Sequence, residues 1–180
     1  KNGIPFKMSK RAGEFISVSD LLNEVDKDQI RFMMLNRSND VELDFDFDKV
    51  KEKSKDNPVF YVQYAFARIN SLHRSLKISL NSTIELSDKN FELNLSEEKI
   101  IRKVFEWPKI IESASKTYEI HKITFYLYEL STLFHSYWSK GNENKKYKFI
   151  KNNKIKRIEI LAIINLVNIV IQNGMKILGV

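Results

Sequence analysis

Asn57-Pro58-Val59-Phe60-Tyr61-Val62-Gln63-Tyr64-Ala65-Phe66-Ala67-Arg68-Ile69 reads as the start of a long amphipathic helix, and that reading decides the fold class. Pro58 suits a first turn, where its missing N–H leaves no hydrogen bond unmade. On an ideal helix Val59, Val62, Phe66, Ile69 and Leu76 lie along one side, the side that should face a core. His73 falls on the same side, which makes it a core histidine satisfied by hydrogen bonds rather than a ligand or a catalyst. Tyr61, Tyr64 and Arg68 recur at i, i+3 and i+7, a separate stripe well round the helix. Two aromatic rings and a guanidinium so spaced can stack on unpaired bases and bind phosphate. They fit equally well tyrosines that flank the core beside a solvated arginine.

Downstream, residues 79 to 96 form a polar connection. Helix resumes near Ser96, with Glu97 and Glu98 in a first turn where the helix dipole favours acids. Ile100, Ile101, Val104 and Phe105 supply its buried face, Pro108 ends or kinks it, and Ile110, Ile111 and Ala114 continue on the next helix. Ile120, Ile123, Leu127, Leu130 and Phe134 mark a long helix in three- and four-residue steps, with Trp138 one step further and Gly141 as its stop. A last helix from about Lys154 to Leu178 is apolar at Ile160, Ile164, Val167, Ile171 and Leu178, so it should be central to a bundle.

Upstream, residues 4 to 18 read as a strand or extended segment, then a loop, then Phe15-Ile16-Ser17-Val18. Ser19 or Asp20 can cap a helix carrying Leu21, Leu22 and Val25. A second helix is predicted over Asp28–Asn36, with Ile30, Met33 and Met34 as its apolar face. Asp46 or Asp48 can cap a short helix through Val50; no third ligand type accompanies these acids, so a structural role is expected there rather than a metal site. The fold class is therefore mainly α, a helical bundle preceded by a short strand–loop–helix segment.

The chain has 180 residues, 43% hydrophobic and 29% charged, which suits a folded protein with a real core. There is no cysteine, so no disulfide framework or thiolate metal site, and the three histidines lack zinc-type spacing. The net charge of +7 suits a polyanionic partner. Lys145, Lys146, Lys148, Lys151, Lys154, Lys156 and Arg157 crowd into one segment, with Tyr147 and Phe149 among them. No signal peptide or membrane span is read; the apolar run from Ile158 to Ile171 is interrupted by Glu159, Asn165 and Asn168 and reads as a buried helix.

Near the N-terminus stands Pro5-Phe6-Lys7-Met8-Ser9-Lys10-Arg11-Ala12-Gly13. Two lysines at spacing three on a loop with a glycine hinge can bring positive charge to a polyphosphate, which is what nucleotidyl transfer needs from a protein. The segment resembles the KMSKS-type signature of class I aminoacyl-tRNA synthetases, with Arg11 in the final position. Gly3-Ile4-Pro5-Phe6, Ala12-Gly13-Glu14-Phe15, Arg31-Phe32-Met33-Met34-Leu35 and Asp56-Asn57-Pro58-Val59-Phe60-Tyr61-Val62-Gln63-Tyr64-Ala65 resemble the arginyl-tRNA synthetases in particular.

The resemblance implies residues 1–57 as the C-terminal end of the catalytic domain and 58–180 as a helical DALR-type anticodon-binding domain. It places Lys7, Ser9 and Lys10 by the phosphates of ATP, with Lys7 and Lys10 catalytic and Mg2+ accompanying the nucleotide. It assigns anticodon contacts to Tyr61, Tyr64, Arg68, Arg74 and Trp138; Arg74 falls off the tyrosine stripe. The implied partners are tRNA(Arg), arginine and ATP, in the cytoplasm, for a monomer with no membrane contact and no metal site of its own. The family's Rossmann domain, its HIGH-type motif and its N-terminal domain have no counterpart in the chain, which is therefore expected to be a C-terminal part of the enzyme and inactive alone. Rival expectations are a free-standing helical RNA-binding module, a plain interaction protein, and the related cysteinyl synthetases with a similar helical domain.

Overall fold

The computed structural model describes residues 16–41, 45–78, 84, 92–152 and 154–180. Lys7, Ser9, Lys10 and the loop that carries them lie outside the described residues, as does most of the connection from 79 to 91. The elements are α1 (Val18–Glu24), α2 (Lys27–Leu35), α3 (Phe47–Lys51), α4 (Pro58–Leu76), α5 (Leu95–Phe105), α6 (Trp107–Thr117) and α7 (His121–Glu143). A 3-10 turn (Lys145–Tyr147), β1 (Ile150–Lys151), β2 (Lys154–Ile155) and α8 (Ile158–Leu178) complete the order. The two short strands pair antiparallel, Ile150 opposite Ile155. The protein is mainly helical, as expected.

Helices α4, α5, α7 and α8 pack around one core, with α6 against α7. Val59, Val62, Ala65, Ile69 and Leu72 of α4 are buried in it, beside Leu127, Leu130 and Phe134 of α7 and Ile160, Ile164, Val167 and Ile171 of α8. Each of these valine, leucine, isoleucine and phenylalanine side chains stabilises the fold by about 1.5–3 kcal/mol when fully buried. Phe66 is only half-buried at the edge of this core. By length and composition α8 is apolar enough to cross a bilayer, yet 50% of its most apolar window is buried inside the bundle. Gly174 lets α8 approach α7: a Cβ there would meet both Leu127 methyl groups, at 2.7 and 2.8 Å.

Asn57 sets where α4 begins. Its side-chain oxygen accepts from Phe60 N, while Nδ2 donates to the carbonyls of Val50 (2.6 Å) and Glu52 (2.9 Å). One buried side chain thus caps α4 and ties it to the end of α3. Pro58 occupies the first turn, and Lys77 closes the helix in the left-handed region at φ 55°. His73 is buried, with Nδ1 2.9 Å from the Ile69 carbonyl and Nε2 2.6 Å from Oδ1 of Asn165.

Several sequence expectations change. The cap of α1 is Ser17, and Asp20 is the reciprocal member of its capping box. Asp46 does cap α3, accepting from the amides of Asp48 and Lys49. In α2 the buried residues are Ile30 and Phe32, and Met34 is 46% exposed. The helix is wedged between two clusters: Ile30 joins Val25 and Val50, while Phe32, about 200° round the helix, enters the main core. Phe105 is 78% exposed because the chain breaks at Glu106, and Ile100, Val104 and Trp107 form the seam instead. Gly141 does not stop α7, which runs through to Glu143. Its missing Cβ makes room for the returning chain, since a Cβ would stand 3.1 Å from the Tyr147 carbonyl oxygen and 3.2 Å from Lys148 Cα. Finally, α8 starts at Ile158, because the short hairpin takes up residues that the periodicity assigned to the helix.

Candidate nucleic-acid interface

Tyr61, Tyr64 and Arg68 on α4 meet a matching stripe on α7, Tyr128, His135 and Trp138. Tyr64 is 39% exposed and Tyr61 half-buried. The Arg68 guanidinium lies 4.2 Å from the Tyr64 ring centroid and 5.4 Å from that of Trp138. Its Nη2 donates to the Tyr64 hydroxyl at 2.9 Å, and its Nη1 donates to Nδ1 of His135, also at 2.9 Å. The arginine is therefore pinned between two rings by two hydrogen bonds, not loose in solvent. A cation held over an aromatic face gains about 0.5–2 kcal/mol, depending on desolvation.

The rings form a continuous aromatic surface. Phe60 and Tyr64 stack with centroids 5.6 Å apart, Tyr64 and His135 stack at 5.3 Å, and Tyr61 lies 4.3 Å from His135 and 5.7 Å from Tyr128. Trp138 is half-buried against Phe134 and edge-on to Phe149. Beside it opens a depression of about 220 Å3 lined by Leu72, Trp138, Asn142, Lys148 and Phe149 among others.

Burial raises the Tyr61 hydroxyl above its ordinary pKa; Tyr128 adds to this and Arg68 opposes it. Burial lowers the pKa of His135, and Arg68 lowers it further, against the Tyr61 carbonyl, which favours the charged ring. The raised Tyr61 hydroxyl stays neutral at physiological pH, and among the described residues Arg68 supplies the positive charge between the rings. Such a surface offers π-faces for bases and N–H groups for acceptor atoms or phosphate.

The structure brings four of the five expected anticodon residues together: Tyr61, Tyr64, Arg68 and Trp138. Arg74 stands apart, exposed on the last turn of α4, about 9 Å along the helix axis from Arg68 at 1.5 Å per residue. His135 was missed in the sequence because it sits inside the aromatic run of α7. The available signal was the i, i+7, i+10 spacing of Tyr128, His135 and Trp138, which mirrors the polar stripe on α4.

The basic segment splits into two kinds of residue. Lys156 Nζ donates to the carbonyls of Lys145 (2.8 Å) and Lys146 (3.1 Å), so it braces its own loop. Arg157 pairs with Glu97 and also donates to the Glu92 carbonyl at 2.9 Å. Glu97 is fully buried; it caps the amide of Asn94 and accepts from the Tyr137 hydroxyl. Burial of Tyr137 itself, and then its hydrogen bond to the Glu97 carboxylate, push the Tyr137 hydroxyl far above its usual pKa. Lys145, Lys146, Lys148, Lys151 and Lys154 are exposed. The segment and residues 92–94 flank an open cleft of about 870 Å3 that Lys146, Lys151, Lys156, Arg157, Glu92 and Glu159 help to line.

Residues 62–180 match the DALR anticodon binding domain family. Over its whole length the chain is 52% identical to an arginine–tRNA ligase of Pelagibacter ubique (strain HTCC1062), covering 31% of that protein. It is 44% identical to an arginine–tRNA ligase of Roseobacter denitrificans (strain ATCC 33942 / OCh 114), covering all of this chain and 32% of that one. A crystal structure of a candidate arginyl-tRNA synthetase from Campylobacter jejuni superposes with a TM-score of 0.77 at 26% identity, over 99% of this chain and 37% of the other. The chain thus spans about a third of the length of the curated relatives it matches.

Proposed function

The chain belongs to the DALR anticodon binding domain family, and from that premise we propose that it is the tRNA-reading C-terminal part of an arginine–tRNA ligase. The observation that carries this is the Tyr64–Arg68–Trp138 clamp: an exposed ring and a pinned guanidinium on helices that lie mostly within the matched span. In this reading an unstacked anticodon base lies on Tyr64, and the free N–H groups of Arg68 meet an acceptor edge or a phosphate. Tyr61 supports the platform from below, Trp138 bounds it, and Arg74 reaches the loop further along α4. The exposed lysines of the basic segment attract the backbone without reading sequence.

Residues 1–57 form, in the same reading, the C-terminal end of the catalytic domain. Lys7 and Lys10 supply positive charge beside the phosphates of Mg2+-bound ATP as arginine is activated, and Ser9 supplies a hydroxyl donor. The support for these roles is the Lys7-Met8-Ser9-Lys10 motif and the names of the relatives.

Equilibrium binding of tRNA to the 180-residue chain tests the proposal. A tRNA(Arg) transcript should bind more tightly than the same transcript changed at its central anticodon base, and the preference should persist as salt is raised. Equal affinity for the two at every salt concentration would overturn it.

A further inference from the structure

One buried imidazole joins Tyr61, Tyr64 and Arg68 of the candidate platform. Arginine carries only donors, so Nδ1 of His135, 2.9 Å from Arg68 Nη1, accepts that hydrogen bond. The ring proton is then on Nε2, where it donates to the Tyr61 carbonyl at 3.0 Å. The two partners together select one tautomer and one charge state, a neutral ring with its proton on Nε2. The same ring lies 4.3 Å from Tyr61 and stacks on Tyr64 at 5.3 Å, with only 3% of the residue exposed.

We propose that His135 is the positioning residue of the RNA-binding face: an imidazole kept neutral so that Nδ1 can orient Arg68, while its ring backs Tyr64. The inference rests on the reading that this face takes tRNA, and it adds the residue that makes the face rigid before RNA arrives. A flexible arginine loses rotamer freedom when it binds; one already held on both Nη atoms loses less per contact. Nothing in this role requires His135 to touch the RNA. Its acceptor atom faces Arg68, its donor faces the main chain of α4, and its ring lies against Tyr61, Tyr64 and Phe134.

A purely structural histidine would fill the same space, so the test must separate orientation from packing. Three variants of the 180-residue chain are compared for tRNA(Arg) affinity and for Tm: His135→Leu, His135→Asn and Arg68→Ala, together with the double variant His135→Leu/Arg68→Ala. Leucine fills the volume without an acceptor, whereas the Asn side-chain oxygen can take the place of Nδ1. Arg68→Ala and His135→Leu should each weaken binding by about tenfold, the double variant by no more than the larger single loss. His135→Asn should bind within about threefold of the unchanged chain even if its Tm falls. Additive losses in the double variant, or affinity that tracks Tm across the set, would overturn the positioning role while leaving the tRNA reading intact. An Arg68→Ala chain that binds tRNA(Arg) as well as the original would overturn both.

Discussion

Arg157 donates to Glu97, a carboxylate that solvent does not reach. The pair fixes the start of α8 against the start of α5, where Glu97 also closes a reciprocal cap with Asn94. Removing the arginine leaves a buried charge whose remaining donors among the described residues are Asn94 N and the Tyr137 hydroxyl. Breaking such a pair costs about 3–5 kcal/mol in a fully buried setting; the Arg157 side chain is 37% exposed, so about 2 kcal/mol is expected after solvent screening. Arg157→Ala should lower stability by that amount in urea unfolding. Glu97→Gln should cost less, since the amide leaves no unpaired charge. An Arg157→Ala chain as stable as the original would mean that water reaches Glu97.

The exposed lysines behave differently. Replacing Lys145, Lys146 and Lys148 with Gln should leave Tm nearly unchanged, because their side chains are exposed. It should flatten the dependence of log K on log salt for tRNA binding by about two units, from counterions no longer released. The ratio of affinities for tRNA(Arg) and its anticodon-changed form should not move. An unchanged salt slope would remove these lysines from the RNA contact.

Acid should loosen the platform. The folded state holds the pKa of His135 below its ordinary value of 6.5, chiefly through burial. The titratable or charged groups against its ring are Tyr61, Tyr64 and Arg68, all from α4. For a group with a depressed folded pKa, the unfolded chain binds the proton more readily. The contribution to stability is therefore full above about pH 6.5 and is lost as pH falls toward the folded pKa. Protonation also places a second cation against Arg68. Affinity for tRNA(Arg) should fall below pH 6.5 more steeply in the original chain than in His135→Asn; parallel profiles would place the acid-sensitive group elsewhere.

Asn57 offers a test of how α4 is held. Asn57→Ala removes a cap worth about 1 kcal/mol, strands the buried carbonyl of Val50 and frees the part-buried one of Glu52. A loss of about 2–4 kcal/mol is expected, against a few tenths if α4 began without that cap. Calorimetric or urea unfolding of the variant distinguishes the two.

Much of this architecture was legible in the sequence. Asn57-Pro58 marked where α4 starts, and the apolar steps along α4, α7 and α8 placed the core. The Tyr61–Tyr64–Arg68 stripe was visible as a face distinct from that core. What periodicity could not supply was the identity of the neighbour each face meets. Met34 and Phe32 exchanged roles because α2 is clasped from two sides, and a one-sided helix is what a period of 3.6 describes. Phe105 lost its place to Trp107 when the helix broke at Glu106. Glu97 reads in the sequence as a dipole-favoured first-turn acid; its burial depends on Arg157, 60 residues away, which closes over it. His135 required both helices at once, since its meaning lies in Arg68 Nη1 and the Tyr61 carbonyl.

The most direct measurement is a double comparison at Tyr64. Binding of tRNA(Arg), and of the same tRNA changed at its central anticodon base, is measured for the original chain and for Tyr64→Ala. Stacking of one base on an aromatic ring is worth about 1–3 kcal/mol, so Tyr64→Ala should weaken tRNA(Arg) by about ten- to a hundredfold and the altered tRNA by much less. Equal losses on both tRNAs, or none on either, would contradict the claim that this face reads the anticodon.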